Sequence, residues 1–419
     1  MSVTHSTAPA AALTAAGESN PPPAPVGWFG LEPTRTDLRD DPYPIYNELR
    51  ETQPVHQTPE GYFRIMRHRD VTAILKGLKV GVRTTDGKLP GVDESAMPRR
   101  FMLMQDPPDH TRLRRLVSRA FSPPAIAALE PHVVELVGQM LEQAADRGDG
   151  TIDIIDDLAR PLPSTVICEM LGVPLSDRPK FTDWTARVTH LLAPRSMTDE
   201  MRRLAGEAAM GLGSYMSKLI EERRDNLGDD MVSVLIRATE DGDRLSPEEL
   251  LTQSIGLLVA GFETTIGLIG NGMRQLLLHP EQLRKLRDNP ELIDRAVEEC
   301  LRFDGPIGAT RRVLHEDAVV HGVLVPKDVE LLLFIASAHR DPRVYERPDE
   351  LDITRDSRSH LAFGGGIHFC LGAHLARLET RVAIGELVKR FGSMELVQEA
   401  PIWGESIFRV QQSLPVHVE

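Results

Sequence analysis

Residues 363–372 of this 419-residue chain read Phe-Gly-Gly-Gly-Ile-His-Phe-Cys-Leu-Gly and constrain its fold more than any other segment. They place Cys370 on a glycine-rich loop directly before residues 371–391, where apolar side chains recur at helical spacing. A cysteine at a helix N-terminus lies near unpaired backbone N–H groups, which favour the thiolate over the thiol. Because glycine has no side chain, a large flat group can approach such a loop closely. The segment therefore predicts a thiolate that serves a flat cofactor, which suggests haem.

The same ten residues resemble the haem-binding loop of the cytochromes P450, whose pattern is Phe-Gly-x-Gly-x-His-x-Cys-x-Gly. Every fixed position of that pattern is filled, by Phe363, Gly364, Gly366, His368, Cys370 and Gly372. In that family a cysteine thiolate holds the haem iron. The resemblance thus implies that Cys370 is the axial ligand of haem b and that the cofactor is bound by Phe363, Gly364, His368 and Gly372. Taken alone, a buried cysteine is more often a small structural residue than a ligand.

Composition narrows the class of protein. The chain has 62 Asp plus Glu against 48 Lys plus Arg, a formal net charge of −14, which disfavours nucleic acid as a partner. Its three cysteines, Cys168, Cys300 and Cys370, are too far apart in sequence for a Cys-x-x-Cys zinc or redox pair, and a reducing, cytoplasmic setting fits. No apolar run approaches the roughly 20 residues of a membrane-spanning helix, so no membrane span is expected.

The N-terminal arm differs in composition from the rest of the chain. Residues 1–27 are rich in Ala, Pro, Ser and Thr, lack the basic and strongly apolar regions of a signal peptide, and are expected to be disordered. Residues 28–419 are expected to form one domain, because the residues implied to bind haem come from distant parts of the chain. The resemblance implies a soluble, bacterial-type protein, since eukaryotic members usually carry a membrane anchor.

Helical periodicity dominates from residue 110 onward. It predicts helices over residues 111–121, 125–147, 158–171, 201–226, 231–240, 247–279, 294–303 and 371–391. Strand character is confined to short segments, two of which, 318–325 and 329–335, are predicted to pair as a hairpin around Pro326-Lys327-Asp328. The sequence therefore predicts a mainly α protein with a minor β part. The resemblance implies the cytochrome P450 fold, with haem between a long central helix and the helix that follows Cys370.

The predicted helix 247–279 is the long central one. It opens with a capping box, in which Ser246 is the N-cap and Glu249 stands three residues later. It also contains five glycines, each of which costs about 1 kcal/mol relative to alanine, at positions 256, 261, 267, 270 and 272. Close approach of a flat partner at Ala260, Gly261 and Thr264 would account for them, because residues i and i+4 share a face.

Residues 260–265, Ala-Gly-Phe-Glu-Thr-Thr, resemble the oxygen-activating segment of the cytochromes P450. The resemblance implies that Ala260 and Gly261 border the haem. Glu263 and Thr264 match the acid and the alcohol of the family, where the hydroxyl holds dioxygen and a water and the acid relays protons. Without that context, a Glu-Thr pair in a helix is usually part of a solvated face. Phe262 stands where many members carry a small, polar or His residue, and it is expected to narrow the solvent route beside the substrate.

Glu299 and Arg302 stand at i and i+3, a pair worth only about 0.2–0.5 kcal/mol on a helix surface. They match the family's Glu-x-x-Arg motif, which is buried and is completed by a second arginine from the segment before the cysteine. Arg355 matches that arginine, with Arg347 as a rival. The implied role of the three residues is structural support of the haem loop.

The two propionates of haem call for Arg or His partners. His110 and Arg114 stand at i and i+4 and match the family's propionate-binding His-x-x-x-Arg, and Arg312 and His368 match two further contacts. A second basic group, close in sequence to these residues and to Cys370, consists of Arg112, Arg115, Arg119 and Arg377. It is either a solvated stripe or a patch that docks an acidic electron donor, and the sequence favours neither.

The substrate pocket is the least readable part. By analogy with the family, the regions expected to line it are residues 79–102, 184–197, 307–310 and 407–408. Within them, Gly308 and Ala309 are small and suggest room for a bulky apolar substrate, and Ile407 and Phe408 are expected to contact it. The alternative is that these are ordinary turn and core residues.

The resemblance extends from about Asp41 to the end of the chain and implies a haem-thiolate monooxygenase. Such an enzyme inserts one atom of O2 into an apolar small molecule, by hydroxylation or epoxidation, and reduces the other to water. The sequence has no flavin or iron–sulfur motif, so electrons are expected from NAD(P)H through a reductase and a ferredoxin- or flavodoxin-type protein.

Two alternative functions remain. A peroxide-driven haem enzyme would not need the Glu263-Thr264 relay, and a haem sensor or binding protein would need neither the relay nor a donor patch.

Overall fold

The computed structural model describes residues 40–77, 79–90, 100–192, 197–240, 243–404 and 406–419, except the side chains of Arg119, Thr239 and Glu240. The arm 1–27, predicted to be disordered, lies outside the described residues.

Helices make up most of the described chain, as the periodicity predicts. In chain order they are α1 (Tyr43–Thr52), α2 (His68–Leu75), α3 (Asp109–Val117), α4 (Pro123–Ala127), α5 (Glu130–Ala145), α6 (Pro161–Leu171), α7 (Arg178–Thr189), α8 (Asp199–Asp225), α9 (Met231–Arg237), α10 (Pro247–Leu278), α11 (Pro280–Asp288), α12 (Ile293–Asp304), α13 (Ile335–Ala338) and α14 (Ala373–Arg390). A π-helical turn, Ile154–Ala159, precedes α6. Short 3-10 turns cover Met102–Met104, Ser118–Phe121, Leu175–Asp177, His190–Leu192, Pro290–Leu292 and Gly366–His368.

The strands of the described chain are short. They are β1 (Val55–Gln57), β2 (Phe63–Ile65), β3 (Val80–Gly81), β4 (Thr151–Asp153), β5 (Thr239–Glu240), β6 (Asp243–Arg244), β7 (Thr310–Leu314), β8 (Ala318–Val320), β9 (Val323–Val325), β10 (Glu330–Leu333), β11 (Met394–Leu396), β12 (Ile402–Trp403), β13 (Gln411–Ser413) and β14 (Pro415–Val418). The largest sheet has the order β1-β2-β10-β7-β3, and a three-stranded sheet has the order β11-β14-β4. The remaining pairs are β12-β13, β5-β6 and β8-β9.

The long helix α10 is the centre of the molecule. It begins with the predicted capping box, in which the Ser246 side chain accepts from the Glu249 N–H and the Glu249 carboxylate accepts from the Ser246 N–H. Five helices, α6, α7, α8, α12 and α14, pack around it. Contrary to the sequence-based expectation, α10 is long and apolar enough to cross a membrane, but 72% of its apolar window is buried inside the protein, as in a core helix.

The predicted hairpin around Pro326-Lys327-Asp328 is wrong. The turn falls at His321-Gly322, where φ is 51° and 80°, and it joins β8 to β9. Positive φ at both central residues is what a two-residue type I′ hairpin turn requires, and glycine adopts it readily. The strand after Pro326, β10, instead pairs antiparallel with β7 and parallel with β2.

Two predicted helices are interrupted by prolines. The expected helix 125–147 is divided into α4 and α5, and Pro131 lies in the first turn of α5. The expected helix 158–171 is likewise divided between the π-helical turn and α6, which begins at Pro161. Proline lacks an N–H and is tolerated in the first turn of a helix but not in its interior, so each helix restarts there.

Candidate active site

The Cys370 loop is shaped by its glycines and held by its own backbone. The Cys370 N–H donates to the Phe363 carbonyl at 2.9 Å, and the Gly364 N–H donates to the Leu361 carbonyl at 2.8 Å. Gly364 and Gly366 have φ of 70° and 65°, in the left-handed region. A Cβ on Gly366 would also lie 2.3 Å from the Leu75 carbonyl oxygen, so α2 packs directly on this loop.

Cys370 is accessible, and α14 begins three residues after it, at Ala373. Desolvation by the surrounding protein raises the pKa of its thiol, while the Gly372 N–H and the Arg114 and Arg377 guanidinium groups lower it. The Gly372 N–H, next to the start of α14, acts in the direction expected of a helix N-terminus, and the thiolate itself stays a prediction. The cationic groups that face Cys370 are suited to an anion at this position.

One patch of α10 is open on an otherwise buried stretch. Between positions 256 and 273, Ala260, Gly261 and Thr264 have accessible surface and the other residues are buried. The Thr264 hydroxyl donates to the Ala260 carbonyl at 3.0 Å. Leu268, one turn further along the same face, packs in a cluster that includes Ala362 and contacts Phe363, where the Cys370 loop begins. The open patch therefore lies on the face of α10 that carries this loop.

The glycines of α10 accommodate protein neighbours rather than a flat group. An added Cβ would lie 2.0 Å from the Phe101 ring at Gly256, 2.8 Å from Pro306 at Gly267 and 2.4 Å from Ile155 at Gly270, and at Gly261 it would make only ordinary contact with Ile167. The explanation of the five glycines by one flat partner is therefore wrong. Of the five glycines, Gly261 alone belongs to the open patch, so the explanation applies to this glycine only.

The Glu263 side chain is buried and makes a polar contact with Ser406 that the sequence does not reveal. It is 7% exposed, and its Oε2 accepts a hydrogen bond from the Ser406 hydroxyl at 2.7 Å. Burial raises the pKa of Glu263 to about 7, against the opposing effects of this hydrogen bond and of Arg160. A carboxyl with a pKa near neutrality can both accept and donate a proton at physiological pH. Ser406 is 143 residues away in sequence, and no local pattern marks it.

Phe262 does not lie where the sequence-based interpretation expects it, beside the substrate. It is 2% exposed and belongs to the main hydrophobic core, on the side of α10 opposite Ala260 and Thr264. It therefore does not border the open patch.

Four residues implied to bind propionates lie together. The rings of His110, on α3, and His368, in the loop, have centroids 4.2 Å apart. Arg114 donates to the Phe369 carbonyl at 2.7 Å, which ties α3 to the Cys370 loop. Arg312, on β7, is near enough to lower the pKa of both histidines electrostatically. Three separate segments thus converge on one cationic group.

One carboxylate of the described residues, that of Asp106, faces this cationic group: its Oδ1 lies 3.8 Å from His368 Nε2, and its charge opposes the lowering of the pKa of Arg312 and of both histidines. Arg312 is 6% exposed and makes its hydrogen bonds to Thr310 and to the Arg311 carbonyl, while burial lowers its pKa to about 10. Burial and the neighbouring His368 and Arg114 lower the pKa of His110 to about 4, and the buried Nδ1 of His110 has no hydrogen-bond partner. Buried donors without acceptors are destabilising. The donor set therefore fits two carboxylates of a bound haem.

Glu299, Arg302 and Arg355 form a buried network. Arg302 donates to both Glu299 oxygens at 2.7 Å, and Arg355 Nε lies 3.3 Å from Glu299 Oε1. The Asp352 N–H donates to the same carboxylate at 3.0 Å, and Arg302 also donates to the His339 and Pro348 carbonyls. Arg347, the rival for the third position, instead pairs with Glu350 at the surface. The network ties α12 to the segment that leads into the Cys370 loop.

The second basic group does not form one free patch. Arg112 pairs with Glu249 and Asp243, and Arg377 donates to both oxygens of Glu298 at 2.6 and 3.0 Å. The Arg377 guanidinium also lies 4.4 Å from the centroid of the Phe363 ring. The guanidinium groups of these two arginines are therefore engaged in ion pairs within the protein, and a role of this group in docking stays a prediction. Arg115 is exposed on α3, and the side chain of Arg119 lies outside the described part of the chain.

The residues expected to contact substrate are in different environments. Ala309 is buried in a small cluster with Tyr46, Met66 and Phe334, and Phe408 belongs to the main core. The positions of these two residues agree with the alternative that they are ordinary core residues. Ile407 is partly exposed. Gly308 is partly exposed, and its carbonyl accepts from the Ala336 N–H at 2.9 Å. Residues 91–99 and 193–196 of the expected lining lie outside the described residues.

Comparison with known proteins agrees with this geometry. A family model described as Cytochrome P450 matches residues 21–412. Cytochrome P450 monooxygenase PikC of Streptomyces venezuelae is 40% identical over 384 residues, which cover 90% of this chain and 89% of that protein. The 6-deoxyerythronolide B hydroxylase of Saccharopolyspora erythraea is 37% identical over 400 residues, with coverage of 90% and 96%. A solved structure of P450BioI with an acyl carrier protein ligated to hexadec-9Z-enoic acid has a TM-score of 0.85 and 36% identity and covers 91% of this chain and 100% of that chain.

Proposed function

The chain belongs to the cytochrome P450 family of haem-dependent monooxygenases, and on that premise we propose that its cofactor is haem b with the Cys370 thiolate as the axial iron ligand. The observation that carries the proposal is the position of Cys370 on a backbone-bonded glycine loop, facing Arg114 and Arg377. Cys168 and Cys300 are fully buried in apolar clusters and are not accessible to a bound haem, whereas Cys370 is exposed.

Haem binding is assigned to residues around the loop and to the open patch of α10. Arg114, Arg312, His110 and His368 pair with the propionates, and the unsatisfied Nδ1 of His110 supports this assignment. Ala260 and Gly261 border the cofactor on the α10 side, and the loop residues Phe363, Gly364 and Gly372 border it on the other. The network of Glu299, Arg302 and Arg355 supports the loop without touching the cofactor.

When bound, the haem supplies O2 activation and transfer of one oxygen atom to the substrate. Thr264 holds a water next to the Ala260 carbonyl, because its hydroxyl donates there and keeps its lone pairs free to accept. Glu263 takes a proton from solvent and passes it towards Thr264, a role supported by its pKa of about 7. Both residues are catalytic in this proposal.

The substrate is an apolar small molecule. The support is the accessible surface of Ala260, Gly261 and Ile407, together with relatives whose names or structures involve 6-deoxyerythronolide B and hexadec-9Z-enoic acid on an acyl carrier protein. The named activities of the relatives favour a monooxygenase over a haem sensor or a peroxide-driven enzyme.

Electrons reach this chain from NAD(P)H through a reductase and a ferredoxin- or flavodoxin-type protein. The support is that the sequence has no flavin or iron–sulfur motif and that Arg115 remains exposed on the helix that also carries Arg114. We place the protein in the cytoplasm, as its three unpaired cysteines favour, and residues 28–419 in a single domain.

The absorption spectrum of the reduced, CO-bound protein tests the ligand assignment. We expect the long-wavelength band typical of thiolate ligation in the wild type and its loss in Cys370→Ser. Cys168→Ala and Cys300→Ala are the controls and should keep the band, although both remove a buried side chain. An intact band in Cys370→Ser would refute the assignment.

A further inference from the structure

Residues 406–410, which precede β13, lie along one face of α10 over three successive turns. Glu263, Gly267 and Asn271 stand at i, i+4 and i+8 and therefore share that face. Ser406 bonds to Glu263, the Arg409 carbonyl would lie 2.9 Å from a Cβ on Gly267, and the Asn271 amide donates to the same carbonyl at 2.8 Å. The absence of a side chain on Gly267 is what lets this segment approach the helix so closely.

The hydrogen bonds of the Ser406 hydroxyl have a defined direction. The Phe408 N–H donates to Ser406 Oγ at 3.1 Å. A backbone N–H can only donate, so the Ser406 oxygen is the acceptor there. The single hydroxyl proton is then donated to Glu263, which makes Glu263 an acceptor and stabilises its carboxylate form. The segment is itself anchored, because the Arg409 N–H donates to the Pro306 carbonyl at 2.9 Å.

The other charged groups near Glu263 are already engaged. Arg160, the cation that lowers its pKa, is held by Asp156 at 3.0 Å and by the Gln412 carbonyl at 3.2 Å. Arg409, on the packed segment, pairs with Asp304 at 2.6 Å. In the described part of the chain the Glu263 carboxyl makes no hydrogen bond with Thr264. Ser406 is therefore the direct donor to this acid.

We propose that Ser406 is the positioning residue for Glu263, holding its carboxyl against the segment 406–410 and away from Thr264. The same segment carries Ile407, which is partly exposed. Displacement of Ser406 and Ile407 would release the Glu263 carboxyl towards Thr264. The segment therefore links the position of these two residues to the supply of protons. The step makes and breaks only the O–H bond of the Glu263 carboxyl, since a proton from solvent binds it and leaves it again. The inference rests on the proposed function of Glu263.

Infrared titration of the ferric holoenzyme tests the contact without turnover. The C=O stretch of protonated Glu263 is identified as the band that Glu263→Gln removes, and its intensity is followed against pH. Ser406→Ala removes the donor to the carboxylate, so we expect the midpoint to rise by about one to two pH units. Ser406→Thr keeps a hydroxyl and should restore the wild-type midpoint.

Ser413→Ala is the matched control. Ser413 lies in β13 and also donates to a carboxylate, but to that of Asp153 in β4 and not to one on α10. It should leave the midpoint unchanged. An unchanged midpoint in Ser406→Ala, in a variant with full haem content, would overturn the proposal. If Ser406→Ala shifts the midpoint while Glu263→Gln leaves product per NAD(P)H and turnover unaltered, the positioning contact stands and the proposed catalytic role of Glu263 fails.

Discussion

Glu263 and Thr264 are adjacent in sequence but have opposite surroundings. The Glu263 carboxyl is buried against Ser406, and the Thr264 side chain belongs to the open patch and bonds to the helix backbone. A buried carboxyl has its pKa raised by desolvation, whereas an accessible hydroxyl can hold water. The division of labour that we propose, with Glu263 as a proton store and Thr264 as a water-binding group, would follow from the one-residue rotation of about 100° along a helix.

Thr264→Ala should uncouple the reaction without weakening substrate binding. The hydroxyl is lost but the apolar patch is almost unchanged, so substrate affinity should stay near the wild-type value. Positioned proton transfer typically contributes ~10²–10⁴ in rate, so product per NAD(P)H should fall and peroxide should rise. Thr265→Ala is the control, because its hydroxyl also bonds to an i−4 carbonyl but is buried away from the patch. Equal coupling in the two variants would contradict the role of Thr264.

A second buried carboxyl, Glu379 on α14, should make stability fall as pH rises. Burial raises its pKa from 4.5 to about 8. Between these values the unfolded chain binds fewer protons than the folded one, so the free energy of unfolding decreases with pH, by up to about 1.4 kcal/mol per pH unit. This decrease in the free energy of unfolding is absent below about pH 4.5 and complete above about pH 8.

Glu379→Gln removes this ionisation. Denaturant unfolding at several pH values should show that the variant gains stability relative to the wild type from about pH 4.5 to about pH 8. Glu386→Gln, on the same helix but paired with Lys389 at the surface, should not show this gain. A stability difference for Glu379→Gln that does not vary with pH would show that the carboxyl is not ionising in this range.

At the scale of elements, α10 is shaped by what packs on it. Each glycine lowers the intrinsic stability of the helix, yet at Gly256, Gly267 and Gly270 a neighbour occupies the space that a Cβ would fill. Close packing of neighbouring elements compensates for low helix propensity, since most helix stability in proteins comes from tertiary contacts. The same packing brings the segment 406–410 against Glu263.

Gly267→Ala should therefore destabilise the protein although alanine is the better helix former. The added Cβ would meet Pro306 at 2.8 Å and the Arg409 carbonyl at 2.9 Å, and overpacking of this kind costs about 1–3 kcal/mol. Gly138→Ala in α5 is the control, because no neighbouring atom lies within 4 Å of its Cβ, and it should stabilise by about 0.5–1 kcal/mol. Thermal unfolding of both variants measures the difference. The prediction fails if both are stabilised alike.

At the scale of the whole molecule, the candidate haem site is assembled from distant parts of the chain. Arg114 and the Phe369 carbonyl that it contacts are 255 residues apart in sequence. Arg312 reaches the same region from β7, which is held in the largest sheet by β10 and β3. Such a site exists only when the helices and the sheet are packed together, so haem retention should report on this assembly.

Arg312→Ala should release haem faster than the wild type. Loss of one buried, charged partner costs about 1–3 kcal/mol, which corresponds to about 5- to 150-fold in haem affinity. Transfer of haem to an excess of apomyoglobin measures the rate. Arg358→Ala, at an exposed arginine that pairs with Asp356, is the control and should be neutral. Equal rates for both variants would place Arg312 outside the propionate site.

Much of the candidate site is local in sequence and was therefore predictable. The Cys370 loop, the capping box of α10 and the spacing of His110 to Arg114 depend on residues within a few turns of one another, so short motifs are enough to identify them. The family and the mainly α fold followed from the same motifs. Errors arose where pairing or burial depends on a distant partner, as in the hairpin at His321-Gly322 and the burial of Phe262 and Ala309.

The sequence by itself determined the family, and its motifs predict Cys370 as the metal ligand and Glu263 and Thr264 as the acid–alcohol pair, because these are encoded by residue type at fixed spacing. Only the tertiary structure decided that Arg355 rather than Arg347 joins Glu299, that Arg112 and Arg377 are already paired, and that Ser406 bonds to Glu263. Ion pairs and buried hydrogen bonds depend on distances of a few ångströms between residues far apart in the chain. Those distances are set by how the elements pack, and no local pattern records them.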